Sequence, residues 1–278
     1  ATHAAGVPGA GGLTGQLPIT LAGGRVPTAS QPLTVMLTGD SMMNVAAPGI
    51  AAALDATGAA SVADRAIDGF GLSTAANWRT AIPSLIAQLH PELIVATWSW
   101  DDSWAQRDPK GYTQAIDQAV ALMLSPGDGV RGVVITQFPP TGPVLSSDRA
   151  QAVAEDAQRA AGQAAWDRVV RALPATFPGR VMYLPVASSV LLDGKFSAWL
   201  PPAGDPLAPR QDWVRVRMID DVHLCPAGVT RYADALLSDF RTLFGLPAPA
   251  PGWWDGAWVH DPRYNTPPGS CPDDHPPA

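Results

Sequence analysis

Two short strings in this sequence carry residue types that could do chemistry together. Thr38-Gly39-Asp40-Ser41-Met42 directly follows an apolar β-branched run and precedes a segment of helical spacing. A sharp strand-to-helix turn of this kind exposes the serine hydroxyl and aims free helix N–H groups at any negative charge that develops beside it. Gly39 suits such a turn because it has no side chain to obstruct it. A serine hydroxyl is a weak nucleophile at neutral pH and needs a base within hydrogen-bond reach, usually a histidine that is itself held by an acceptor. Of the five histidines, His3 and His275 lie in the end segments and His260 in the tail, while His90 precedes Pro91 at the entrance to a strand, the wrong edge of a sheet. His223 remains, in Asp220-Asp221-Val222-His223-Leu224-Cys225-Pro226-Ala227-Gly228. Asp220 is spaced to accept from one ring nitrogen while the other faces Ser41. Each string alone has an ordinary explanation, a serine N-cap and a surface loop. Together they supply a nucleophile, its base and an orienting acid for acyl transfer.

The elements that must position them follow from the hydrophobic pattern. Short apolar runs over 33–38, 61–66, 93–97, 130–137 and 180–186 read as strands, several continuously apolar and therefore buried on both faces. Helical spacing covers 45–56, 75–89, 112–124, 149–173 and 227–244, with Pro226 suited to a helix start. This alternation predicts an α/β protein, a five-stranded parallel sheet between two layers of helices, and ligands bind such sheets at the carboxyl ends of the strands. Ser41 falls at such an end.

Composition bounds the partners. The 278 residues are 46% apolar and 15% charged, a globular balance, and 18 basic against 25 acidic groups leave a formal charge of −7 with no basic cluster. Nucleic acid is therefore excluded as a partner, and the substrate is expected to be small or neutral. No apolar run is long enough to span a bilayer and no secretory leader opens the chain, so a soluble polypeptide is expected. Residues 1–31 are Gly/Pro-rich and read as a flexible linker or the start of an exported protein, residues 32–246 as the domain, and residues 247–278 as a Pro/Trp-rich tail packed on it. Cys225 and Cys271, 46 positions apart, would pin that tail beside the His223 loop if joined; in a reducing compartment they would be two free thiols. No metal-ligand spacing and no phosphate-binding loop is present, so neither metal nor cofactor is expected.

The same residues resemble the SGNH, or GDSL, hydrolase superfamily over roughly residues 33–246, with Gly39-Asp40-Ser41 matching its first block and Asp220/His223 its last. The resemblance implies the flavodoxin-like fold of that superfamily, Ser41, Asp220 and His223 as catalytic residues, and an oxyanion hole built from the N–H groups of Ser41 and of a glycine after the second strand. Asp64-Arg65-Ala66-Ile67-Asp68-Gly69-Phe70-Gly71 matches that second block, with Gly69 the better candidate and Gly71 the alternative. The third block departs from the pattern: where the superfamily has Gly-x-Asn-Asp, this chain reads Trp98-Ser99-Trp100-Asp101, and Trp100 stands in place of the oxyanion-donating Asn. Asp40, Gly71, Trp98, Trp100 and Asp101 are expected around the substrate pocket, with the indole of Trp100 shaping it. The tryptophan followed by an acid, and the His223-Leu224-x-Pro226-Ala227-Gly228 string, are similar to extracytoplasmic SGNH domains fused to actinobacterial family-3 membrane acyltransferases. That likeness implies an envelope location, an acylated carbohydrate or small ester as substrate and a membrane acyltransferase as a partner. A lipase or thioesterase acting on longer chains is a second enzymatic expectation, and an impaired glycan-binding module built on Trp98, Trp100 and Trp104 is a third, non-enzymatic one.

Overall fold

Loops that leave the first three strands of one sheet carry Ser41, Gly69 and Trp100, and a later loop before the last helix carries Asp220 and His223. A computed structural model describes residues 15–74, 77–125, 127, 129–144, 147–274 and 276. Strands β1 (Leu33–Gly39), β2 (Ala60–Asp64), β3 (Leu93–Thr97), β4 (Gly132–Thr136) and β5 (Val181–Leu184) form one sheet in the order β2-β1-β3-β4-β5. Every pairing is parallel, with Leu33 opposite Ala60 and Gly39 opposite Thr97. Strands β3, β4 and β5 are buried at every position, as continuous apolar runs covered on both faces must be, whereas the edge strand β2 is only partly covered.

Helices α1 (Ser41–Asp55) and α6 (Pro226–Phe244) pack together, while α2 (Trp78–Leu89), α3 (Asp102–Arg107), α4 (Pro109–Met123) and α5 (Arg149–Thr176) form a second group. The chain order reverses between β1 and β3, the switch point at which open sheets bind ligands, and Ser41 leaves β1 there.

The three-layer fold expected from the pattern is the fold observed, with shifted boundaries that have local causes. Helix α1 starts four residues early because the Asp40 side chain caps it, accepting from the N–H of Met42 at 2.9 Å. Strand β5 ends at Leu184 since Pro185 has no N–H to donate, and the chain turns into a 3-10 segment (Val186–Val190). Helix α3 is too short for a visible period, and so is the two-residue antiparallel pair of β6 (Trp199–Leu200) with β7 (Val214–Arg215). Residues 75 and 76, expected in α2, lie outside the described residues.

The expectation of a flexible linker needs correction for residues 15–31; residues 1–14 lie outside the described residues. Ile19 and Leu21 are buried in the core, Arg25 pairs with Glu92, and the Gln16 amide bonds both ways with the backbone of Tyr183 on the edge strand β5. The segment covers a sheet edge, which explains its order despite its composition.

Candidate active site

The turn before Ser41 is closely packed. Gly39 has φ +152°, and a Cβ placed there would lie 2.1 Å from the Thr97 carbonyl oxygen and 2.8 Å from Met43 Cβ, so only glycine fits. The Asp40 N–H donates to that same Thr97 oxygen at 3.1 Å. Asp40 is buried, and its second carboxylate oxygen accepts from Ser99 Oγ at 2.7 Å and from the Trp100 N–H at 2.6 Å. Burial pushes this carboxyl up to about 6, against the lowering effect of the three bonds it accepts. Asp40 therefore ties the turn after β1 to the loop after β3. Ser41 follows as the first helical residue, where its N–H has no intrahelical acceptor.

Ser41 Oγ lies 2.7 Å from His223 Nε2, and His223 Nδ1 lies 2.6 Å from Asp220 Oδ2. The other Asp220 oxygen accepts from the N–H groups of Val222 and His223 at 2.9 and 3.0 Å. Partial burial would raise the Asp220 carboxyl, but the bond from the His223 ring and these two N–H groups outweigh it and hold it down to about 2. Asp220 is thus a carboxylate at neutral pH. Its neighbour Asp221 takes a left-handed φ of +56°, which aspartate tolerates, and its carbonyl accepts from Gly142 at 2.7 Å.

Arg217 lies beneath this loop with no exposed surface and donates to the Val222 carbonyl at 3.0 Å. Burial drives its guanidinium down to about 10, partly offset by the charges of Asp221 and Asp220. Sequence reasoning missed Arg217; the available signal was a second arginine in the alternating stretch Val214-Arg215-Val216-Arg217-Met218.

The loop after β2 carries Gly69 at φ +69°, in a turn closed by Phe70 N–H to the Ile67 carbonyl at 3.1 Å. The Ile67 N–H donates to the Gly39 carbonyl at 3.0 Å, which docks this loop on the turn before Ser41. Asp101 fastens its far end, accepting from the N–H groups of Leu72 and Ser73 at 2.6 and 3.1 Å. Gly71 packs on Asp101, where a Cβ would lie 2.7 Å from Oδ1.

The expected pocket lining requires a correction. Asp40, Gly71, Trp98 and Asp101 are all buried and form the frame behind the site, because their polar groups bond inward or their rings fill the core. Trp100 alone of the five faces solvent, with 58% of its surface exposed. Of the tryptophans considered as a sugar platform, Trp98 is core and Trp104 packs edge-on against Tyr112 at 5.5 Å between ring centroids.

The bridge expected to pin the tail is present. Cys225, the residue capping α6, is joined to Cys271 with a Cα separation of 5.6 Å. Nearby, Ile219 N–H donates to the Ser270 carbonyl at 2.9 Å. His90 caps α2 at the opposite end of β3 and His260 sits in a tail turn; His3 and His275 lie outside the described residues. No helix among the described residues is long and apolar enough to cross a membrane.

With this geometry in view, comparisons with known proteins bear on the fold. A family model described as "Protein of unknown function (DUF459)" matches residues 34–119. No curated protein matches the sequence. Among solved structures, the native aryl esterase of M. smegmatis is similar with a TM-score of 0.50 at 16% identity, covering 76% of this chain and 99% of that one. Its inhibitor-bound form gives 0.52 at 15% identity over the same shares. A GDSL-like lipase from Bacteroides thetaiotaomicron aligns over 76% of this chain and 88% of its own, with a TM-score of 0.48 at 13% identity. At these identities the likeness is one of fold, which this chain shares with the aryl esterase.

Proposed function

We propose that the protein is an SGNH-type serine hydrolase that forms an acyl-enzyme on Ser41, and that its substrates are short acyl esters, acetyl foremost, of cell-envelope carbohydrates. The observation that carries the enzymatic reading is the continuous hydrogen-bond chain from Ser41 Oγ through His223 to Asp220 at 2.7 and 2.6 Å. His223 Nε2 takes the hydroxyl proton as Ser41 Oγ attacks the acyl carbonyl carbon, and the imidazolium formed is stabilised by the Asp220 carboxylate. The oxyanion faces the N–H of Ser41 at the helix start and that of Gly69 in the docked loop. His223 then protonates the departing alcohol oxygen, and water or a sugar hydroxyl, deprotonated by the same nitrogen, releases the acyl group. Water makes the protein an esterase and sugar makes it a transferase.

Support for an extracytoplasmic setting comes from the Cys225–Cys271 bridge, since disulfides persist in oxidising compartments. The carbohydrate and membrane-acyltransferase elements of the proposal rest on the sequence resemblance. A fluorophosphonate probe should label wild-type protein at Ser41, and a panel of p-nitrophenyl esters beside acetylated glycans should show turnover falling with acyl length. Labelling elsewhere or not at all would remove the enzymatic reading. Turnover that rises with chain length would replace it with the lipase or thioesterase one.

A further inference from the structure

The C-terminal segment does more than close a disulfide. It runs along α1 from the middle to the first turn: Trp258 packs where a Cβ on Gly49 would lie 3.0 Å from its ring, and Tyr264 Oη donates to the Val45 carbonyl at 3.0 Å. Between them Arg263 reaches the nucleophile helix and the loop after β2 at once. Its Nη1 donates to the Asn44 carbonyl at 2.7 Å, to Asn44 Oδ1 at 3.3 Å and to Asp64 Oδ2 at 2.7 Å, while Asp261 lies 3.2 Å from its Nε. Because the Asn44 side-chain oxygen faces the guanidinium, its NH2 group is turned outward, and it donates to Asp68 Oδ1 at 2.7 Å. Asp64 Oδ1 meanwhile accepts from the Ala66 N–H at 3.0 Å. Both ends of the 64–68 stretch are thereby referred to one guanidinium, one residue before Gly69 and three residues after Ser41.

We propose that Arg263 is a positioning residue for the acyl-transfer reaction, acting through Asn44 and Asp64 to hold the Asp68–Gly69 segment in register with the Ser41 N–H. This inference rests on the serine-hydrolase reading given above. The segment then links both halves of the site, since the same stretch of chain continues to Ser270 and Cys271 on the His223 loop. A planar guanidinium suits the task because it can serve several oxygens in fixed directions, which an ammonium group cannot. An oxyanion donor acts only on the charge that develops in the transition state, so its displacement should lower kcat and leave KM nearly unchanged.

The test is steady-state kinetics on p-nitrophenyl acetate, below the melting temperature of every variant used. Arg263→Gln should lower kcat about 10-fold or more with KM within about 3-fold, and Arg263→Lys should recover only part of the loss. Should Arg263→Gln fail to fold, the Asn44–Asp68 pair provides a second route. Asn44→Asp alone opposes two carboxylates and should reduce kcat similarly; combined with Asp68→Asn it restores a donor and an acceptor, and kcat should return to within about 3-fold of wild type. A wild-type kcat in Arg263→Gln, or a double variant no better than Asn44→Asp, would overturn the positioning role while leaving the hydrolase reading intact. A wild-type protein that neither turns over the ester nor takes the probe at Ser41 would overturn both.

Discussion

Ser41 leaves the buried end of a central strand, whereas His223 sits in a half-exposed loop fastened by local bonds, and the two regions hold their residues by different physics. On the Ser41 side, a glycine that admits no side chain, a buried carboxylate and the sheet register fix the turn. On the base side, the Asp220 turn, the buried Arg217, the two-stranded β6/β7 pair and the Cys225–Cys271 bridge do so. Core packing cannot be removed without unfolding the domain, but each fastener of the base loop can be cut singly. The difference predicts that the base side is where activity separates from stability.

The largest effect should come from the triad itself. Under the proposed function Ser41→Ala and His223→Ala should each reduce p-nitrophenyl acetate turnover by roughly 10⁴-fold or more, since a nucleophile and its base act as a unit. Asp220→Asn should keep the fold and cost roughly 10²- to 10⁴-fold through a misheld imidazole. Asp221→Asn should stay within a few-fold, because asparagine adopts the left-handed φ equally well. The opposite ranking of the two aspartates would exchange their roles.

Next comes the bridge. A disulfide closing a 46-residue separation is worth about 4 kcal/mol in the chain-entropy model, so reduction should lower the melting temperature by several degrees. Under mild reductant, activity should fall before the far-UV signal of the sheet does, because Cys225 is two residues from the base. Coincident loss of both signals would contradict the separation of the two sides.

Two carboxylates sharpen the contrast by titrating in opposite senses. Asp40 is raised from 3.8 to about 6 in the fold, so the native state binds the extra proton between these values and its stability falls as pH rises through that window. The shift corresponds to roughly 3 kcal/mol. Asp220, held at about 2, contributes stability that is present above 3.8 and is lost as pH falls toward 2. Asp239, which burial also raises to about 6, adds a slope of the same sign as Asp40, so denaturant unfolding between pH 4 and 6 should be compared in Asp40→Asn and wild type. An unchanged slope in the variant would remove Asp40 as the cause.

A small effect is also expected at Trp100. Its backbone N–H already serves Asp40 and its ring is largely exposed, so Trp100→Phe should alter turnover by less than about 10-fold. A loss of about 10²-fold with unchanged folding would make the indole an oxyanion donor in place of the missing asparagine.

The sequence by itself determined most of the sheet, since the β-branched apolar runs of β3, β4 and β5 between turn signals read as parallel strands buried on both faces, and it singled out Ser41, Asp220, His223 and the two cysteines by type and spacing. It could not distinguish a frame from a pocket: Asp40, Trp98 and Asp101 look available in the sequence, and only packing turns them inward. Nor could it see Arg217 beneath the base loop, or Arg263 against Asn44 across 219 positions, because neither contact leaves a local period. Periodicity reports which face of an element is buried, while long-range hydrogen bonds depend on where separate elements meet. That meeting is decided by the tertiary structure alone.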